Sequence, residues 1–468
     1  MHIRTVNEGD FSRLRQGARL ALTARPAALR RFRQLATTVR SRAGLIREDG
    51  QTLIMFVLFM FVLILFVGLG IDLGFAYITR ARLSKAVDAA CLAGIRNVNQ
   101  TQATAQTIAD STFRANYGTS ARDVPPVLAP VINFGTLNNN ITIDVSATRT
   151  ISTFFLRIFP ALDSSGPSWR TLTVGSHAQA TRPNLIMSLV LDRSGSMVDD
   201  GGAAALPGAV SDFIDRFDDS RDRVGVSSFA SGSTIDLAMS QPFKQAVKDT
   251  ATAIKQTCIN NYNRGVDTST CAERGLTNGL ALQQTVVPAS GEEVIRVIVF
   301  FTDGVANTWY NTMSCGARDI YSDGSTYDPN TGASQSCSGM PHTLPSIDPI
   351  TGVVTANAIT YNSCAPMHQE AQRRAERIAC LSRAGSLVTT GGKSVTTYVY
   401  SIGLGSGYSE CGFPALNPDF LKNVANTLDS DTHVQGQLEG DYAIAADPSQ
   451  LDAAFQDIAD KILARLTK

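Results

Sequence analysis

Residues 185–197 read LIMSLVLDRSGSM. An apolar run ends in one carboxylate, Asp192, and two hydroxyls, Ser194 and Ser196. Buried polar groups are costly unless something satisfies them, so a strand that delivers an acid and two hydroxyls past its tip asks for a partner. Three partners suit these groups: the backbone N–H groups of a following helix, a phosphate, or a metal ion. A phosphate fits least, because the loop carries Asp192 and has no Lys.

The elements that must position this loop are legible from Asn184 onward. Apolar strand runs are LIMSLVL, RVGVSSFA, VIRVIVFF and VTTYVYSIG. Between and after them lie helix candidates Ala204 to Phe217, Phe243 to Thr257, Leu280 to Val286, His368 to Arg383 and Ser449 to Leu466. Near-continuous apolar strands alternating with helices predict an α/β fold, a doubly wound, mostly parallel sheet covered on both faces. Ligands on such sheets bind at the C-terminal strand ends, which is where LDRSGS falls.

The N-terminal half has a different character. The chain of 468 residues is 44% hydrophobic and 18% charged, with 41 basic and 41 acidic residues. The balanced charge excludes a globally basic nucleic-acid binder. It hides an asymmetry, because residues 1–52 hold eleven Arg, no Lys and only four acids. Leu53 to Ile71 then runs nineteen residues without a charge, long enough to span ~28 Å as a helix. The expectation is a single membrane pass with the Arg-rich arm cytoplasmic and the chain beyond Asp72 outside, which in a bacterium means the inner membrane and the periplasm. Helical spacing of Leu73, Tyr77, Leu83, Val87 and Ala90 extends that helix outward to about Asn97. From Thr101 a short helix and alternating strands, VINFG, ITIDVSATRTI and TLTVGSHAQAT, form a small strand-rich module. The expected organisation is an arm at 1–50, a membrane helix at 51–97, the module at 98–183 and the α/β domain at 184–468.

All eight cysteines lie beyond the span, and their spacing gives no paired Cys-x-x-Cys zinc pattern. Disulfides in an oxidising compartment are the expectation, with Cys258, Cys271, Cys315, Cys337, Cys364 and Cys411 as candidates. Cys258 and Cys271 are expected to close a ring within one polar loop, while Cys91 and Cys380 suit buried free thiols.

Asp192-x-Ser194-x-Ser196 after one strand, Thr277 in LTNG, and Thr302-Asp303-Gly304 after another strand together resemble the metal-ion-dependent adhesion site of a von Willebrand factor A domain. The resemblance covers Asn184 to Leu466. It implies that Asp192, Ser194, Ser196, Thr277 and Asp303 hold one ion. Two carboxylates and three hydroxyls suit Mg2+, with Mn2+ or Ca2+ as alternatives, and leave a position for water or a partner's carboxylate. Two insertions, near 258–274 and 309–364, flank these motifs and are expected to be partner-contact loops held by disulfides. Residues 48–182, with QTLIMF, the apolar span and AVDAACLAG, resemble TadE/TadG-like proteins of the tight-adherence (Flp) pilus assembly machinery. Prepilin-like members carry Glu five residues after the cleavage Gly; here Met55 stands at that offset from Gly50.

The function implied is a membrane-anchored protein that assembles or anchors a pilus and grips a protein partner, itself a pilus component or a second copy, through a metal-dependent domain. A general envelope adhesin is the first rival. A metal-dependent hydrolase is the second, since a metal flanked by acids can activate water. The five His are scattered and no catalytic set is assigned, so the expectation is a protein without enzymatic activity.

Overall fold

The structure, a computed structural model, describes residues 51–99, 101–118, 129–157, 169–313, 315–322, 324–328, 332–337, 341–360, 363–385, 387–389, 391–405 and 416–466. The Arg-rich arm and Cys411 lie outside the described residues. The chain divides into two compact units. Among the described residues, one takes those up to Val87 with Phe113–Val131 and Ser146–Ala178; the other takes Asp88–Thr112, Ile132–Val145 and those from Gln179 onward.

Helix α1 runs unbroken from Gln51 to Arg96. No Pro interrupts it, and its stretch from Leu53 to Ile71 carries no charged residue. Side chains from Leu53 to Val67 are mostly exposed, whereas Leu83, Ala86, Val87 and Ala90 are fully buried. Beyond Asp72, Leu73, Phe75, Tyr77 and Ile78 are still exposed. Among the described residues α1 is the one helix long and apolar enough to cross a membrane. After it come α2 (Gln102–Tyr117) and a three-stranded sheet of β1 (Val131–Leu137), β2 (Asn140–Ser152) and β3 (Thr171–Arg182), in the order β1-β2-β3.

The second part is built on β4 (Asn184–Asp192), α3 (Ser196–Asp199), α4 (Gly202–Asp215), β5 (Arg223–Phe229), β6 (Ser233–Ser240), α5 (Lys244–Arg264), α6 (Ala272–Gln284) and β7 (Val294–Thr302). The insertion contributes β8 (Thr308–Met313), β9 (Gly316–Tyr321), β10 (Thr326–Tyr327), β11 (Thr343–Ile347) and β12 (Val354–Thr360). The remainder is α7 (Cys364–Arg383), β13 (Leu387–Val388), β14 (Ser394–Val395), β15 (Tyr398–Leu404), α8 (Pro418–Ala425), β16 (Tyr442–Ala445) and α9 (Leu451–Arg465). The six-stranded sheet has the order β16-β15-β7-β4-β5-β6. It is parallel except for β6, which pairs antiparallel with β5.

Central β4 is buried along its whole length, which is why its sequence reads as an unbroken apolar run. Leu185, Met187, Leu189 and Leu191 face a core completed by Phe213 of α4, Val247 of α5 and Phe455 of α9. Val190 faces the opposite core with Leu276 and Leu280 of α6, Met367 of α7 and Phe420 of α8. Full burial of side chains this size contributes about 1.5–3 kcal/mol each. Ser188, on the α6 side, is satisfied by donating to the Gly279 carbonyl at 2.8 Å. Gly279 lets α6 lie flat on β4: a Cβ there would stand 2.5 Å from Val190 Cγ2, well inside van der Waals contact.

The insertions differ from the loops expected of them. Residues 258–264 are the last turns of α5, and α6 begins at Ala272, eight residues earlier than its sequence pattern predicted. The segment from Trp309 forms antiparallel pairs β8–β9–β10 and β11–β12, with Trp309, Ile320, Leu344 and Ile359 buried in the core on the α6 face. Cys315 and Cys337 are bonded and Cys364 is disulfide-bonded. The expected Cys258–Cys271 ring is absent, because both are free, buried thiols. Cys258 lies within α5 and donates to the Ser194 carbonyl at 3.4 Å, whereas Cys271 sits at the N-terminus of α6. Cys91 and Cys380 are buried free thiols, as expected.

Candidate metal centre

Because β4, β5 and β7 run parallel, their C-terminal ends meet at one edge of the sheet. β4 ends in Asp192 and β7 in Thr302, so the loops carrying Ser194–Ser196 and Asp303–Gly304 leave side by side. The Ser194 and Ser196 hydroxyls lie 3.1 Å apart. Both donate to Asp303 Oδ1, from 3.3 Å and 2.9 Å respectively. Asp192 lies one layer deeper. Its Oδ1 accepts from the Ser194 backbone N–H at 2.8 Å and its Oδ2 from the Thr302 hydroxyl at 2.6 Å. Asp192, Ser194 and Asp303 are almost completely buried.

Arg193, between these residues, is turned away from them. Its guanidinium pairs with Asp267, donates to Ser228 Oγ at 3.1 Å and reaches the Gly232 carbonyl. It pins the loop to β5 and to the segment after α5. Its charge is already committed, so the acids of the site keep little neutralising partner.

That imbalance shows in the acids themselves. Burial pushes the Asp303 carboxyl well above the ordinary carboxylate range, and repulsion from Asp192 and Asp200 pushes it further. Burial likewise raises Asp192, against the hydrogen bonds from Thr302 and Ser194. Among the described residues, Asp303 Oδ2 is buried and finds no hydrogen-bond partner. A buried carboxylate oxygen left unpaired costs on the order of 1–3 kcal/mol or more. Among the described residues no group of three or more His, Cys, Asp or Glu could hold a metal. An ion here would therefore rest on two carboxylates and on hydroxyls. The donor set is all oxygen and negatively charged, which fits a hard divalent cation.

Thr277 is not brought to this cluster. It is exposed on the second turn of α6, and its hydroxyl donates to the Glu273 carbonyl one turn back at 2.7 Å. A different threonine, Thr270, reaches the site. A Cβ placed on Gly304 would lie 3.6 Å from Ser196 Oγ and 3.9 Å from Thr270 Oγ1, so that glycine faces both hydroxyls. Thr270 is buried. Its backbone is held by Asn307, whose Oδ1 accepts the Thr270 N–H at 2.7 Å and whose N–H donates to the Thr270 carbonyl at 3.1 Å. The signal that locates it is its position immediately before α6.

The comparisons with known proteins match this architecture in two places. Residues 187–323 match the family model of the von Willebrand factor type A domain, and residues 50–97 match the Tad model, described as Flp pilus-assembly TadE/G-like. The chain joins a TadE/G-like segment to a von Willebrand factor A domain. The A-domain match runs from within β4 through β9 and includes Asp192, Ser194, Ser196, Thr270 and Asp303. Among solved structures, the pilus adhesin SpaC from Lactobacillus rhamnosus GG is 14% identical over 73% of this chain and 35% of its own, with a TM-score of 0.38. This chain thus spans about a third of SpaC. The PilB minor pilin from Streptococcus sanguinis is 16% identical over 72% of this chain and 79% of its own, TM-score 0.36. The vWF domain of the type V pili tip protein Mfa5 from Porphyromonas gingivalis is 14% identical over 62% of this chain and 98% of its own, TM-score 0.36. No curated protein matches.

Proposed function

We propose that this chain is a membrane-anchored, non-enzymatic component of pilus assembly or anchoring that binds a protein partner through a divalent cation held by its A domain. The observation that carries the metal-binding part is the buried, unpartnered Asp303 Oδ2 beside two hydroxyls that converge on the same carboxylate. The TadE/G-like match at residues 50–97 supports the pilus context, and the exposed apolar length of α1 supports the anchor. The membrane is read as the bacterial inner membrane, with the A domain on its periplasmic side.

Ser194, Ser196 and Asp303 would hold the ion directly, with Thr270 at the rim. Asp192 would act from behind, through water and through its hold on the Ser194 N–H. Mg2+ suits the small, hydroxyl-rich set, and Mn2+ or Ca2+ has the same oxygen preference. When bound, the cation supplies one open coordination position to a carboxylate from the partner. Arg193 keeps the loop in place without competing for that carboxylate, since Asp267 occupies its guanidinium.

The test is crosslinking in membranes, comparing the intact chain with Asp192→Ala, with Mg2+ and with chelator. The reading predicts a crosslinked partner for the intact chain in Mg2+ that is lost in the variant and on chelation. Identical crosslinks under all three conditions would reject metal-dependent capture.

A further inference from the structure

At the outer end of the apolar run, α1 carries a carboxylate that is 2% exposed, Asp72. Its Oδ1 accepts the Phe154 N–H at 2.9 Å, and its Oδ2 accepts the N–H groups of Phe155 and Leu156 at 2.7 and 2.8 Å. A charge at the margin of an apolar phase is costly unless hydrogen-bonded. Three backbone donors from one turn, after β2, satisfy it. The Phe155 ring lies against Gly68, where a Cβ would overlap it. Gly68 is one helical turn before Asp72 and inside the charge-free run, so Phe155 sits about 5 Å within the apolar length of α1.

The same turn presents further side chains outward. Phe154 is 56% exposed and Trp169 is 39% exposed. Trp169 is held alongside, because the Thr153 hydroxyl donates to its carbonyl and the Thr153 N–H donates to the Arg170 carbonyl at 3.0 Å. The Arg157 guanidinium lies 5.1 Å from the Phe154 ring centroid, and its Nε donates to the Phe154 carbonyl at 3.2 Å. Arg157 and Arg170 are exposed. Exposed aromatic rings with cations beside them, at the end of a spanning helix, form the composition that settles at a lipid headgroup layer.

We propose that residues 153–157 and Trp169 insert into the headgroup region of the bilayer that α1 crosses, with Arg157 and Arg170 on lipid phosphates. The inference rests on the reading of α1 as a membrane span. The occupant is phospholipid because the patch continues the lipid-facing surface of α1 at a depth set by the Phe155–Gly68 contact, and its exposed charges are cationic. Asp72 is the positioning residue, since it ties the turn to the helix.

The test uses the full chain in liposomes of phosphatidylcholine and phosphatidylglycerol, with acyl chains either unlabelled or brominated near the headgroup. Bromine quenches nearby tryptophan, and the chain has two, Trp169 and the fully buried Trp309. Subtracting the emission of a Trp169→Phe variant isolates Trp169. The proposal predicts that most Trp169 emission is lost in brominated lipid, while Trp309 emission is the same in both lipids. It also predicts that Asp72→Asn still floats with liposomes but loses much of the Trp169 quenching. Flotation with no Trp169 quenching would overturn the proposal and leave the span intact. Quenching that is unchanged in Asp72→Asn would overturn the positioning role. A Trp169 signal that follows the protein-to-lipid ratio instead of bromine would assign the patch to a second copy and overturn it. Failure to float would remove the span and this proposal together.

Discussion

Two helical glycines receive the same substitution and should respond with opposite sign. Gly279 on α6 is buried against β4, where a new Cβ would stand 2.5 Å from Val190 Cγ2, 3.7 Å from Ile298 Cγ2 and 3.9 Å from Ser188 Cβ. Carbon atoms prefer about 3.5–4.0 Å, so Gly279→Ala must push α6 outward by roughly 1 Å or turn Val190 off its rotamer. Overpacking of this kind costs about 1–3 kcal/mol, against a helix-propensity gain of about 1 kcal/mol. The net expectation is a loss of up to about 2 kcal/mol. Gly208 on α4 is exposed and has nothing within 4 Å of its Cβ position. Gly208→Ala should therefore stabilise by about 0.5–1 kcal/mol. Urea titration of the full chain in mild detergent, followed through Trp309 in a Trp169→Phe background, reads both. In a Val190→Ala background the Gly279→Ala loss should shrink, a coupling of at least about 0.5 kcal/mol. A stabilising Gly279→Ala, or strict additivity with Val190→Ala, would refute the close approach of α6 to the sheet.

The exchange of threonines at the site gives a second expectation: Thr270→Val should weaken Mg2+ binding measured by calorimetry, and Thr277→Val should leave it unchanged. The reverse ranking would return the sequence-based assignment. Burial raises the Glu376 carboxyl from its ordinary 4.5 to about 7. Such a group holds its proton more tightly when folded, so its contribution is best below pH 4.5 and is lost as pH rises to 7, a difference of about 3 kcal/mol. Glu376→Gln keeps the Asn423 contact and should flatten that slope, giving higher melting temperatures than wild type at pH 8; an unchanged slope would reject it. Alkylation under denaturing, non-reducing conditions should label Cys258 and Cys271 and leave Cys315 and Cys337 linked, as read by mass spectrometry. A Cys258–Cys271 peptide would restore the expected ring.

The parallel sheet was legible because β4 and β7 are buried on both faces and so carry no polar alternation. Asp192, Ser194, Ser196 and Asp303 were legible for the same reason, as polar residues standing directly at the ends of such runs. Thr277 misled because its LTNG setting looks like a loop, whereas it is one exposed turn of a helix whose inward face is Gly275, Leu276 and Gly279. That helix begins at Ala272 behind a polar run in which Asp267, Ser269 and Thr270 are buried. Its burial comes from Arg193, Gly232 and Asn307, all distant in sequence. Polar residues buried by tertiary contacts leave no periodic trace, so the run read as an insertion and Cys271 as a disulfide partner. Short β16 gave no signal because the four residues Tyr442–Ala445 are too few to show a period, and the exposed edge strand β6 because Asp236 breaks its apolar run.

The central claim is that the C-terminal edge of the A domain holds a divalent cation. Titration calorimetry of the full chain with Mg2+ and Mn2+ tests it most directly, using wild type, Asp303→Asn and the Ser194→Ala/Ser196→Ala double variant. Asp303→Asn removes the charge while keeping the shape, and the double variant removes both converging hydroxyls. The account predicts one ion per chain in wild type and loss of that binding in both variants, with the far-ultraviolet circular dichroism unchanged. Absence of binding in wild type, or equal affinity in all three proteins, would contradict it.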